Sequence, residues 1–148
     1  MTYVLATTEA EVDAAIWAKV HTAFAEALGL ELDEVSFDSR INSDLDAESL
    51  DFLDVAFRLE RAFDVKIPRG GIEQAARDGV GDEAYEVDGV LTAHALAGLA
   101  DALPEIPRAE FAEGLKTIHV PELFRVGTFY NLVVRLLNEK STGLQAAG

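Results

Sequence analysis

Asp44-Leu45-Asp46-Ala47-Glu48-Ser49-Leu50-Asp51 stands where a long polar connection turns into a helix, and the helix then runs from residue 49 to residue 63. Leu50, Leu53 and Phe57 mark one apolar edge of that helix; Phe52, Val55, Ala56, Leu59 and Phe63 widen it. Asp51, Asp54, Arg58 and Arg61 recur at helical spacing as a single polar stripe on an otherwise apolar cylinder. Its acids come early and its arginines late, which is the order the helix dipole favours. Asp64-Val65-Lys66-Ile67-Pro68 closes the segment, because proline restricts the residue before it and cannot donate to the helical ladder.

Upstream, residues 9–28 read as a first helix. Val12, Ile16, Val20, Phe24 and Leu28 recur every fourth residue, and Ala15, Ala23 and Ala27 broaden the stripe. Thr7, Thr8, Glu9, Glu11 and Asp13 suit its N-terminus, and Gly29 fits just past its end. Residues 29–48 form the connection, with Leu30, Leu32, Val35, Phe37, Ile41 and Leu45 spaced as anchors that lay it on the helices. Downstream, Gly70, Gly71, Gly79 and Gly81 lie among charges in a loop over 69–84 with at most a short turn. A helix is predicted over 89–103 from Val90, Leu91, Leu96, Leu99 and Leu103, and a short one over 108–115. The last helix runs from about Leu123 or Thr128 to Glu139, burying Phe129, Leu132, Val133, Leu136 and Leu137, with Pro121 in an opening turn and a frayed tail over 141–148. No segment alternates apolar and polar residues long enough for a half-buried strand, so the expected class is all-α.

The chain has 148 residues, enough for one domain with a sizeable core, and 49% of them are hydrophobic against 26% charged, a globular balance. Cysteine is absent, which excludes disulfides, zinc–thiolate sites and cysteine nucleophiles. A formal charge of −15 repels phosphate backbones and anionic lipid and attracts basic protein surfaces, so nucleic acid is excluded as a partner class. No window nears the roughly 18 apolar residues of a membrane span, and the start lacks a signal-peptide pattern. A soluble, cytoplasmic monomer is expected.

Little in the chain is arranged for catalysis. His21, His94 and His119 fall in three separate segments without metal-ligand spacing. There is no nucleophile elbow and no phosphate-cradling glycine loop. Asp44, Asp46 and Glu48 alternate like the opening of a calcium loop, but the sixth and twelfth positions, which need glycine and glutamate, hold Ser49 and Val55. Ser49 itself has two readings. It is either the helix N-cap, although Phe52 stands where a capping box would want Glu or Gln, or an exposed hydroxyl kept for modification.

The surrounding residues favour modification. Asp44-Leu45-Asp46-Ala47-Glu48-Ser49-Leu50-Asp51 resembles the Asp-Leu-Gly-Ala-Asp-Ser-Leu-Asp motif of acyl carrier proteins. Leu59-Glu60-Arg61-Ala62-Phe63-Asp64-Val65-Lys66-Ile67-Pro68 is similar to that family's Leu-Glu-x-x-Phe-x-Ile-x-Ile-Pro close. Ala27-Leu28-Gly29-Leu30 and Asp33-Glu34-Val35 resemble the end of its first helix and the start of its loop, so the resemblance spans residues 9–68. Val126-Gly127-Thr128-Phe129 resembles the start of its last helix.

The resemblance implies a four-helix carrier bundle, its core formed by residues 9–68 and 121–140, with an additional helical insertion over about 69–120 between the family's second and fourth helices. It implies that Ser49 is esterified by 4′-phosphopantetheine, whose thiol holds an acyl group as a thioester. It further implies a phosphopantetheinyl transferase and acyl-loading and acyl-transferring enzymes with basic surfaces as partners. Residues 1–68 hold 15 acids against 5 bases, so the charge concentrates in the carrier-like half. Asp44, Glu48, Asp51 and Asp54 are the candidates for partner contacts, and Leu53, Phe57, Leu91, Leu96 and Leu99 for lining an acyl pocket, with core packing as the alternative. Asp46 departs from the family's glycine and should stiffen its turn; Arg58 and Arg61 add positive charge, and residues 69–125 follow no motif of the family. The unusual length points to a specialised fatty-acid, lipid or secondary-metabolite pathway. The alternative is an unmodified carrier-like module that binds a basic partner through the acidic second helix.

Overall fold

The computed structural model describes residues 3–67 and 85–141, and of Ser49 and Ser141 the backbone only. The glycine-bearing loop over 69–84, Pro68 and the tail after residue 141 lie outside the described residues. Among those described, four α-helices form: α1 (Ala14–Leu28), α2 (Ser49–Phe63), α3 (Ala93–Ala102) and α4 (Val126–Ser141). Their buried side chains join in one continuous apolar cluster. The all-α, acyl-carrier-like expectation holds.

The N-terminal boundary of the first helix shifts for capping reasons. The Asp13 carboxylate accepts from the N–H groups of Ala15 and Ile16 at 3.0 and 3.1 Å, which starts α1 at Ala14. Glu9–Glu11 is instead a separate single turn, because Glu11 accepts from the Thr7 and Thr8 N–H groups and the backbone turns extended at Val12. The helix ends as predicted on Gly29, whose φ of 68° is the left-handed conformation that glycine adopts without a Cβ clash.

Residues 89–103 are not one helix. Glu86–Val87 and Val90–Leu91 pair antiparallel around Asp88-Gly89, with φ of 52° and 82° at the two turn residues. This corrects the expectation of no strand: the Asp-Gly dipeptide is a hairpin signal, but its flanks are too short to show alternation. Helix α3 starts after Thr92, whose hydroxyl accepts from the Ala95 N–H at 3.1 Å. The short helix expected over 108–115 contracts to a single turn at Arg108–Glu110, and Pro121 sits inside a further turn over Thr117–Leu123 rather than opening the last helix.

Helix α4 is the centre of the molecule. Phe129, Leu132, Val133 and Leu136 are buried as expected, but so are Thr128, Tyr130, Asn131 and Val134 on its other faces. A helix buried all round needs its polar groups matched. The Thr128 hydroxyl accepts from the Arg125 N–H, and the Tyr130 hydroxyl accepts from the Asp13 N–H at 2.7 Å. Burial raises the Tyr130 pKa above its usual value, against the lowering effect of that bond. Asn131 donates to Glu105 Oε1 and to the Ala6 carbonyl, at 2.7 and 2.9 Å, and accepts from the Ala6 N–H at 2.8 Å. Arg135 donates to the Ala102 carbonyl; burial lowers its pKa, an effect that the charge of Glu105 opposes.

Gly127, in the first turn of α4, is set by a close approach. Its N–H donates to the Phe37 carbonyl at 2.9 Å, and a Cβ built there would lie 2.5 Å from the Phe37 ring, itself 1% exposed. In an open helix Gly→Ala gains about 1 kcal/mol, whereas forcing a methyl into a packed core costs about 1–3 kcal/mol. The second effect wins because the aromatic ring has no room to retreat. Gly127→Ala should lower unfolding stability by about 1 kcal/mol or more in urea titration, and a gain in stability would contradict the contact.

Candidate functional site

The connection between α1 and α2 lies on the bundle through Val35, Phe37 and Ile41, all buried, with Leu30 and Leu45 partly so. Leu32, expected as an anchor, is 50% exposed because the turn Leu32–Glu34 points it outward. His21 is a structural residue here. Its Nε2–H points to the carbonyls of Leu32 and Val35 at 2.6 and 2.7 Å, and its ring stacks on Trp17. The loop is sewn to the head of α4 by backbone bonds from Ile41 N–H to Phe124, Val126 N–H to Ser39 and Gly127 N–H to Phe37.

From there the chain turns towards Ser49. The Arg40 carbonyl accepts from the Asp44 and Leu45 N–H groups, and the Ile41 carbonyl accepts from the Ala47 N–H. Asp46 has a φ of 54°, in the left-handed region where a side chain is strained and where the family motif has glycine. Asp tolerates this better than most residues, so Asp46→Gly should gain about 0.5–1 kcal/mol and Asp46→Val should lose at least as much. The midpoint order glycine, aspartate, valine in a urea titration checks this.

Ser49 is the first helical residue of α2, and the N-cap is Glu48, with φ −106° and ψ 173°. The cap reading of Ser49 is therefore corrected: the cap sits one residue earlier, and the Asp51 carboxylate accepts from the Glu48 N–H at 2.8 Å. Glu48 before and Leu50 after it are exposed, placing position 49 at an accessible loop–helix junction. The leading N–H groups of a helix have no carbonyl one turn earlier, and the dipole there favours an anion. A phosphodiester on Ser49 fits that position.

The four acids proposed for partner contact lie around this junction, and the carboxylates of three of them have internal partners. Asp44 accepts from the Arg40 N–H at 2.8 Å, and Asp51 braces the cap. Asp54 pairs with Arg58 at 2.8 Å, and Arg58 also reaches Glu26 of α1 at 3.4 Å. Glu48 is exposed. The surface around position 49 stays acidic while the turn and helix start are held rigid.

The apolar edge of α2 is turned the other way from the sequence expectation. Val55, Leu59 and Phe63 enter the core, whereas Leu50, Leu53 and Phe57 are 75%, 54% and 61% exposed. Leu53 and Phe57 therefore do not line an interior acyl pocket. They form with Leu50 an outward apolar stripe that starts beside Ser49. Leu91 and Leu99 are core residues at 4% and 0% exposure, and Leu96 packs against the core from its rim. The outward stripe is what sequence reasoning missed; the faint signal was an apolar surface too broad for one helix neighbour to cover. Among the described residues no cluster of three or more His, Asp or Glu is arranged to hold a metal, and no helix is long and apolar enough to cross a membrane.

A helical bundle in which a serine opens an acidic helix between exposed residues has the form of a carrier-type attachment domain. Comparison with known proteins agrees. Residues 18–74 match the family described as the phosphopantetheine attachment site. An acyl carrier protein of Borrelia garinii subsp. bavariensis is 45% identical over 53 residues, which are 36% of this chain and 66% of that relative. One from Guillardia theta is 37% identical over 59 residues, 40% of this chain and 73% of the relative. The chain thus belongs to the acyl carrier protein family, whose covalent cofactor is 4′-phosphopantetheine. It spans just under two thirds of the length of the Borrelia relative. No solved structure matches it.

Proposed function

We propose that Ser49 carries the 4′-phosphopantetheine arm and that the chain shuttles an acyl group, as a thioester on that arm, between enzymes of a specialised fatty-acid, lipid or secondary-metabolite pathway. The observation that carries this reading is the junction itself: position 49 opens α2 between exposed residues, with the outward stripe Leu50, Leu53 and Phe57 running from it. The arm would supply the thiol, which this cysteine-free chain lacks. The chain's own residues do the rest. Glu48 and Asp51 brace the start of the helix that position 49 opens, and the leading N–H groups of α2 favour the phosphodiester charge.

Partners are enzymes with basic surfaces. A charge of −15 raises encounter rates with such surfaces, and the apolar stripe gives a desolvated contact once they meet. We further propose that the carrier unit comprises 9–68 and 121–140, with 69–120 as an extension, and that this extension goes with a specialised partner set. The test is the intact mass of the protein after co-expression with a broad-specificity phosphopantetheinyl transferase, beside a known carrier in the same cells. Gain of one phosphopantetheine unit is expected. No gain, with the control modified, would leave the unmodified partner-binding module as the reading.

A further inference from the structure

We infer that the extension sets the position of the turn preceding Ser49 through a three-residue ionic clamp, with Arg40 as its positioning residue. The inference rests on Ser49 as the attachment point and assigns a function to a part of the chain outside the carrier motifs.

Arg40 is the hub of that turn. Its N–H donates to Asp44 Oδ2 at 2.8 Å, and its carbonyl accepts from the N–H groups of Asp44 and Leu45 at 2.9 and 3.1 Å. Its backbone also bridges antiparallel to Arg125, next to the Ile41 N–H bond to the Phe124 carbonyl. These contacts fix the conformation of residues 40–47, which end two residues before Ser49. The guanidinium then leaves the turn altogether. Its Nη2 donates to Glu110 Oε1 at 2.9 Å, and Glu110 belongs to the extension.

Glu110 is held from behind. Its second oxygen, Oε2, accepts from Arg125, whose side chain is 7% exposed at the head of α4. Arg125 also donates from Nη1 to the Glu105 carbonyl at 3.5 Å, and Glu105 is tied to α4 by Asn131. One carboxylate, fixed to the central helix, thereby orients the arginine that organises the arm-bearing turn. An ion pair with one half-exposed partner contributes little stability, so its value lies in geometry. Misplacing a reacting group by about 1 Å lowers transfer rates far more than it lowers stability.

The test uses the full chain and three variants. Arg40→Gln removes the charge and fork but leaves the Glu110–Arg125 pair and the buried guanidinium intact. Arg40→Lys restores a charge. Arg108→Gln breaks the exposed Arg108–Asp101 pair, an ion pair of the same extension that does not reach the turn. Two quantities are read: amide hydrogen exchange, and kcat/KM for arm transfer from coenzyme A by a broad-specificity transferase.

For Arg40→Gln, amides of Asp44, Leu45 and Ala47 should exchange faster while those of α4 keep wild-type rates. The same variant should lose about threefold or more in kcat/KM at an unchanged melting temperature. Arg40→Lys should recover part of both, and Arg108→Gln should match wild type in both. Wild-type exchange in the turn together with wild-type kcat/KM overturns the clamp, and so does uniformly faster exchange across α4. A wild-type protein that accepts no arm overturns the Ser49 reading instead, and the exchange pattern then decides the clamp alone.

Discussion

Ser49→Ala is expected to remove all arm loading while leaving unfolding stability within about 0.5 kcal/mol of wild type. Loss should be complete because the acceptor is one oxygen atom, and an alanine at that position has none to offer. The stability half of the expectation follows from the cap. Were Ser49 the N-cap, alanine would cost about 1 kcal/mol. The cap is Glu48, with Asp51 bracing its N–H, and both remain in the variant. Inside a first helical turn alanine is a slightly better helix former than serine, so a small gain in melting temperature is the favoured sign. Intact mass after co-expression with the transferase, and a urea titration of both proteins, check the two halves. A Ser49→Ala protein that still gains the arm would move the attachment elsewhere, and a loss near 1 kcal/mol would restore the serine cap.

Asn131→Leu is the largest stability change expected. The two side chains are of similar volume, so no great cavity forms; the damage is polar. Asn131 is 0% exposed, and its removal leaves the Ala6 N–H, the Ala6 carbonyl and Glu105 Oε1 without that partner. Glu105 is 4% exposed, and its other oxygen, Oε2, already has no hydrogen-bond partner among the described residues. Each orphaned buried group costs about 1–3 kcal/mol, and more when charged, so the three together cost on the order of 3 kcal/mol or more. That is a large share of the stability of an ordinary domain, about 5–15 kcal/mol. Chemical denaturation reads it directly. The double variant Asn131→Leu, Glu105→Leu should recover part of the loss, because the buried charge has gone as well; a strictly additive result would dissolve the proposed pairing.

Some features were legible because they are local. A fourfold apolar repeat from Ile16 to Phe24 can only be one helix face, and Gly29 can end it because only its own backbone is involved. The motif around Ser49 was readable for the same reason, as was the start of α4 at Val126. The Asp88-Gly89 hairpin was legible in principle, since the dipeptide supplies both positive φ values, but two-residue strands carry no period to draw attention to it.

What the sequence by itself determined is the first, second and last helices, the family and the position of the candidate serine, all of which rest on neighbours within a few turns. Tertiary structure decided which apolar surface became core. Helix α2 is apolar on two faces, and nothing local distinguishes Val55, Leu59 and Phe63, which α1 and α4 cover, from Leu50, Leu53 and Phe57, which stay outside. It also decided that the first half of α4 is enclosed on every side, because Ala6 and Glu105 reach Asn131 from segments far away in the chain. Arg40, Glu110 and Arg125 share no spacing or motif. They meet because the segment carrying Glu110 folds back beside the loop before α2, where the buried Arg125 guanidinium takes one oxygen of its carboxylate and the half-exposed Arg40 the other.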